Sequence, residues 1–198
     1  MADDVAYWHC PVCDLRFMDA ASLPEAKAEK AHYDRHNNDL DDPNYRRFLN
    51  RLAEPLLAEL STRQGALDVL DFGAGPGPLL ARMLTEAGCR TAIYDPFYAP
   101  DQDVLRRRYD VITATEVAEH FHRPRAMFDQ LHQLLNPGAV LAIMTGVVTE
   151  DVDFARWHYR RDPTHVAFYS RATLAFIAGL YGYGMAMPHP NVVIFRAD

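Results

Sequence analysis

The 198-residue chain has no unbroken apolar stretch near the ~20 residues that a membrane-spanning helix needs. Its first residues, MADDVAYWHC, lack the basic and then apolar layout of a secretory leader. Only three cysteines are present, two of them three positions apart, which does not make a disulfide framework. Positive charge is also in deficit, with 20 Lys and Arg against 27 Asp and Glu, a net charge of −7. A long phosphate-binding face needs the opposite balance, so the composition argues against a nucleic-acid partner, though not against docking one nucleotide end in a local basic pocket. Internal repeats and low-complexity tracts are absent. The expectation is a soluble, cytoplasmic protein with no membrane segment, long enough for one cored domain and a small appendage.

What is there begins with "HCPVCDLRF" and a polar helix over 24–38, with Pro24 at its first turn. "DLDDPN" reads as a turn-rich break, and "YRRFLNRLAEPLLAEL" spaces its leucines at helical period with Pro55 as a possible kink. From Leu67 the texture changes. "LDVLDF", "TAIYD", "YDVITAT" and "AVLAIMTGVV" read as strands, separated by helices at "PLLARMLTEAG" and "PRAMFDQLHQLL". "SRATLAFIAGLYG" is a further helix with Ser170 as N-cap, and "GMAMPHP" and "NVVIFRA" close the chain as an antiparallel pair. Strands alternating with helices predict an α/β fold, a doubly wound and mostly parallel sheet covered on both faces. Ligands of such sheets lie beyond the carboxyl ends of the strands.

"DVLDFGAGPGPLL" places Asp71, Gly73, Gly75 and Gly77 where the first of these strands turns into a helix. Glycines let the chain turn sharply and let a ligand approach the main chain, and a helix start favours an anionic group. The same loop also serves as a bare strand-to-helix turn. Asp95, at the end of the second strand, stands where an acid receives a ribose hydroxyl pair. The dinucleotide fingerprint G-x-G-x-x-G fails in both registers, because Pro78 and Leu80 occupy its third glycine. NAD is therefore disfavoured.

Residues 66–148 resemble the class I S-adenosylmethionine-dependent methyltransferases, with "LDFGAGPG", "YDP", "YDVITATEVAEH" and "LLNPGAVLAIMT" standing in the family's motif order. The resemblance implies a Rossmann-like methyltransferase domain over 41–198, with 1–40 as an N-terminal Cys/His segment and helix. It implies S-adenosyl-L-methionine as cofactor, held by Asp71, Gly73, Gly75 and Gly77, with Asp95 on the ribose and Glu116 beside the sulfonium. One departure stands out. Only thirteen residues, 96–108, separate Asp95 from the next strand, too few for the family's usual helix and third strand. Both are expected to be missing or reduced, with Phe97 or Tyr98 stacking on the adenine.

"TEVAEHFHRP" resembles two subfamilies, the O-methyltransferases of ubiquinone biosynthesis and the 2′-O-methyltransferases of small-RNA 3′ ends. In both, acids and histidine accompany a divalent metal at the acceptor oxygen. Carried over, this marks Glu116, Glu119, His120 and His165 as a mixed N/O metal site, with capping of the next helix as the alternative and His120 as a general base in that case. The catalytic candidates are His120, Glu119 and His165. Trp157, Tyr159 and Tyr169 are candidates for an aromatic acceptor wall, and Arg160 and Arg161 for an anion contact. Cys10, Cys13, His32 and His36 have the ligand types of a zinc site, against which stands a metal-free knuckle packed by Phe17. The expected activity is O-methylation of a small-molecule acceptor. A non-catalytic S-adenosylmethionine-binding module and a metal-dependent RNA 2′-O-methyltransferase are the alternatives.

Overall fold

A computed structural model of the chain describes residues 5–35 and 39–197. The chain opens with a hairpin, β1 (Tyr7–His9) and β2 (Arg16–Met18), followed by α1 (Ala26–Tyr33) and α2 (Pro43–Leu60). Then come β3 (Asp68–Phe72), α3 (Leu79–Glu86), β4 (Arg90–Tyr94), β5 (Tyr109–Thr115), α4 (Pro124–Gln133) and β6 (Leu135–Met144). The last elements are β7 (Val147–Val148), β8 (Ala167–Ser170), α5 (Arg171–Tyr181), β9 (Gly184–His189) and β10 (Val192–Arg196).

The main sheet runs β4-β3-β5-β6-β10-β9, with β4, β3, β5 and β6 parallel and the last two antiparallel. Alternation along the strands builds two apolar layers. Leu70, Phe72, Ile112 and Ala114 point to the side of Phe128, Leu131, Leu174 and Ile177. Val69, Val111, Val140 and Ala142 point to the side of Leu52, Leu56, Leu79 and Leu84. α2 keeps Pro55 inside it and buries Leu49, Leu52, Leu56 and Leu60 along one stripe. The expected loss of the third strand is observed. Residues 96–108 hold only an isolated bridge, Asp95 with Ala99, and a 3₁₀ turn, Val104–Arg106, so β4 is an edge strand.

Two sequence expectations change. The apolar run 139–148 is not one strand. It breaks after Met144, and β7 joins a second sheet of order β1-β2-β8-β7. The helix expected over 24–38 is settled over Ala26–Tyr33, and its last three residues, His36 among them, lie outside the described residues. The boundary drawn at 40/41 is crossed by β2 pairing with β8 through Arg16↔Phe168 and Phe17↔Ala167, so the N-terminal hairpin is sheet-bonded to the later chain. No helix among the described residues is long and apolar enough to cross a membrane.

Candidate active site

The carboxyl ends of β3, β4 and β5 open into one cavity of about 920 Å³, roofed by α1 and α2. Asp71, one residue before the end of β3, faces the α2/α3 side of the sheet, opposite Thr113 in register, and is 4% exposed. Thr113 Oγ1 donates to Asp71 Oδ1 at 2.7 Å. Burial still pushes this carboxyl up to about 6, because taking a charge out of water disfavours the ionised form. The next residue but one, Gly73, has φ 75°, and a Cβ there would lie 2.4 Å from Val117 Cγ2. Only glycine fits this approach between the loop and the end of β5. The amides of Gly73 and Ala74 donate to Tyr94 O at 2.7 and 3.1 Å, fastening the loop to β4.

Asp95 follows β4 and is 7% exposed. Its Oδ2 accepts from the Gly75 amide at 2.9 Å, and its Oδ1 from the amides of Phe97 and Tyr98 at 2.8 and 3.0 Å. One carboxylate thus ties the glycine loop to the turn carrying both aromatic candidates, with oxygen lone pairs left over. Phe97 lines the cavity and faces Tyr33 of α1 at 5.8 Å between ring centroids. Gly77 and Glu116 line the same cavity. The residues fit a nucleoside-bearing methyl donor on structural grounds: main-chain amides without side chains in the way, a buried acid in the wall, and an aromatic ring beside it.

Glu116 stands at φ 52°, a left-handed backbone that is costly away from glycine and that marks a built corner at the end of β5. The following turn, Ala118–His120, is 3₁₀. Glu119 is fully buried and accepts from Thr145 Oγ1 at 2.7 Å and, on its other oxygen, from the Tyr159 hydroxyl. The same hydroxyl lies 3.1 Å from Glu116 Oε2. Burial and the Glu119 charge push Glu116 up to about 8. His120 Nδ1 donates to Thr164 O at 2.8 Å and His165 Nδ1 to Tyr159 O at 2.7 Å, which commits the Nδ1 of each ring to a carbonyl, and His165 Nε2 lies 3.8 Å from Asp162 Oδ2. Their centroids are 4.8 Å apart, and burial lowers the His165 pKa. Ligand atoms of Glu119, His120 and His165 lie within 4.8 Å of one another. The expected metal quartet therefore reduces to a trio, with Glu116 linked through Tyr159.

Among the described residues, Cys10, Cys13 and His32 do not come together as a ligand group. Among the described residues no third ligating group joins the cysteines, His32 Nε2 sits 3.0 Å from Asp162 Oδ2, and His36 lies outside the described residues. The aromatic acceptor wall is also revised. Trp157, Tyr159 and Tyr169 do not line the cavity, and Tyr169 is buried with its hydroxyl on Ala118 O at 2.9 Å. Tyr33, Tyr45 and Phe48 take that place. Arg160 packs over the Tyr7 ring at 4.5 Å. The sequence reading missed the hydroxyl role of Tyr159 and the contribution of Thr145. A usable signal was Gly146: a Cβ there would meet the Tyr159 ring at 2.5 Å.

A mostly parallel sheet of this order, with a glycine loop after its first parallel strand and an acid after the next, defines a class I S-adenosylmethionine-dependent methyltransferase fold. The family description "Methyltransferase domain" matches residues 45–185, and the chain belongs to that family. No curated protein matches the sequence. Among solved structures, magnesium protoporphyrin IX methyltransferase from Synechocystis with bound S-adenosylhomocysteine is similar at TM-score 0.59 and 16% identity, over 86% of this chain and 95% of that one. The 1,6-didemethyltoxoflavin-N1-methyltransferase of Burkholderia thailandensis is similar at TM-score 0.54 and 16% identity, over 98% and 100%. An O-methyltransferase family protein from the same organism is similar at TM-score 0.52 and 17% identity, over 90% and 65%. At these identities the likeness is one of fold.

Proposed function

We propose that this chain transfers a methyl group from S-adenosylmethionine to a hydroxyl of a small molecule seated beneath α1 and α2. The observation that carries the reading is that the donor-type residues Asp71, Gly73, Gly75, Gly77 and Asp95 and the imidazoles of His120 and His165 serve a single cavity. Asp95 and the loop amides would hold the nucleoside, with Phe97 against the base and Glu116 toward the sulfonium. When bound, the donor supplies a methyl carbon already activated by a positively charged sulfur. The chain's own task is then mainly position, since orientation of two reactants accounts for much of such acceleration. A hydroxyl ionises poorly at neutral pH and needs a base. His120 offers Nε2 for that proton, its other nitrogen being held by Thr164 O. Tyr33, edge-on to the His120 ring at 5.2 Å, walls the acceptor side.

A second reading has its own support. Imidazoles whose Nδ1–H is fixed on a carbonyl present Nε2 as metal ligands do, and Glu119 supplies an oxygen close by. A divalent ion there would polarise the acceptor oxygen, with His120 as ligand instead of base. The test is methyl transfer to pooled small-molecule alcohols and phenols with labelled donor, before and after exhaustive chelation. Oxygen-methylated product that survives chelation and disappears in His120→Ala supports the base. Loss on chelation with recovery on metal add-back supports the ion. Product methylated only on nitrogen or carbon overturns the hydroxyl assignment.

A further inference from the structure

We propose that the β1–β2 turn is one half of a tetrathiolate zinc site, and that the other half is the same turn of a second copy of this chain. The turn is built around its two cysteines. Cys10 N donates to Leu15 O at 2.9 Å, and Asp14 N returns to Cys10 O at 2.9 Å, which folds residues 11–13 into a loop. Asp14 closes that loop at φ 61°, a left-handed backbone that side-chain-bearing residues seldom adopt. Main-chain amides of Cys13 and Val12 face the Cys10 sulfur, and the Cys10 and Cys13 side chains are in hydrogen-bond contact. Two neighbouring cysteine sulfurs on one tight turn, one of them faced by amide donors, suit a soft divalent ion.

Zinc in a structural site takes four ligands, and this turn offers two. Among the described residues the remaining candidates are engaged elsewhere: His32 with Asp162 at 3.0 Å and His9 with Asp14 at 2.6 Å. The same hairpin carries Trp8 and Val12, 56% and 76% exposed, which are two of the four large apolar side chains exposed among the described residues. A twofold apposition of two such turns supplies four sulfurs and covers both side chains in one step. The inference is independent of the methyl-transfer reading.

The test is titration of the reduced full-length protein with Zn²⁺ and, in parallel, Co²⁺, followed by sedimentation and by sulfur-to-cobalt charge-transfer absorption. The expected result is one ion per two chains, a doubled mass and absorption from four thiolates per cobalt. Cys10→Ser and Cys13→Ser should each abolish all three, whereas Cys89→Ser should change none. One thiolate-bound ion per monomer would overturn the proposal and assign the missing ligands to the same chain. Dimers indifferent to Cys10→Ser, or saturation without sulfur absorption, would also overturn it.

Discussion

Gly73→Ala tests the donor loop through a distance. The new Cβ would stand 2.4 and 2.7 Å from the Val117 methyl carbons, on a backbone at φ 75°. A left-handed backbone costs a residue with a Cβ about 1–2 kcal/mol. Forcing an extra carbon into a packed contact costs about 1–3 kcal/mol more. The substitution should therefore destabilise the fold by roughly 2–5 kcal/mol, read as a shift in the urea midpoint at constant slope. Val117→Ala removes both methyl carbons but leaves the Val117 Cβ position 3.2 Å away, so relief should be substantial and incomplete. In a double-mutant cycle the pair should show a coupling of about 1–3 kcal/mol, with the φ cost persisting in the double variant. Affinity for S-adenosylhomocysteine, measured by calorimetry, should fall in Gly73→Ala and recover in part with Val117→Ala. Strict additivity of the two changes, or a Gly73→Ala variant as stable as the parent, would refute the close approach as the reason for glycine here.

Asp95→Ala removes the acceptor of three main-chain amides as well as the proposed ribose contact, and should weaken S-adenosylhomocysteine binding by about 1–3 kcal/mol, roughly 5- to 150-fold in calorimetry. Asp71 is raised to about 6 in the folded chain, so its ionisation opposes folding. Below its unfolded value near 4 both states are neutral and the effect is absent; it grows as pH rises toward 6 and is complete above that. Asp71→Asn should therefore gain up to roughly 2–3 kcal/mol at pH 7–8 and nothing from this source at pH 3, in urea melts across pH, while losing donor affinity. His120→Ala should lower kcat by about 100-fold or more with donor affinity unchanged, and a variant retaining full kcat would remove it as base or ligand.

The strands and helices that build the donor side were legible because their signals are local. Alternation, apolar periodicity and the D-F-G-A-G-P-G turn each occupy a few consecutive residues, and the thirteen-residue gap after Asp95 announced the missing third strand by length alone. The acceptor side was legible only as residue types. Glu119, His120 and His165 could be named from the sequence, but the Tyr159 hydroxyl that joins Glu119 to Glu116 comes from forty residues further along. The place of His32 was hidden for the same reason. Ligand types at helical spacing say nothing of Asp162, which takes up His32 across 130 residues.

The sequence by itself determined the α/β class, the motif order, the glycine loop and the acid at 95, because each depends on backbone conformations that neighbouring residues dictate. Tertiary structure alone decided the second sheet, in which strands of two to four residues pair between the N-terminal hairpin and the segment after β6. Strands that short carry no period to read, so their pairing is visible only in the folded chain. It also decided that α1 roofs the cavity, held by His122 Nε2 on Glu29 at 2.9 Å and by the neighbouring Tyr98 hydroxyl on Asp34 at 2.7 Å. Those contacts join residues 29 and 122 and residues 34 and 98. Their distance in sequence hides them, and their chemistry is the ordinary one of a carboxylate meeting a donor.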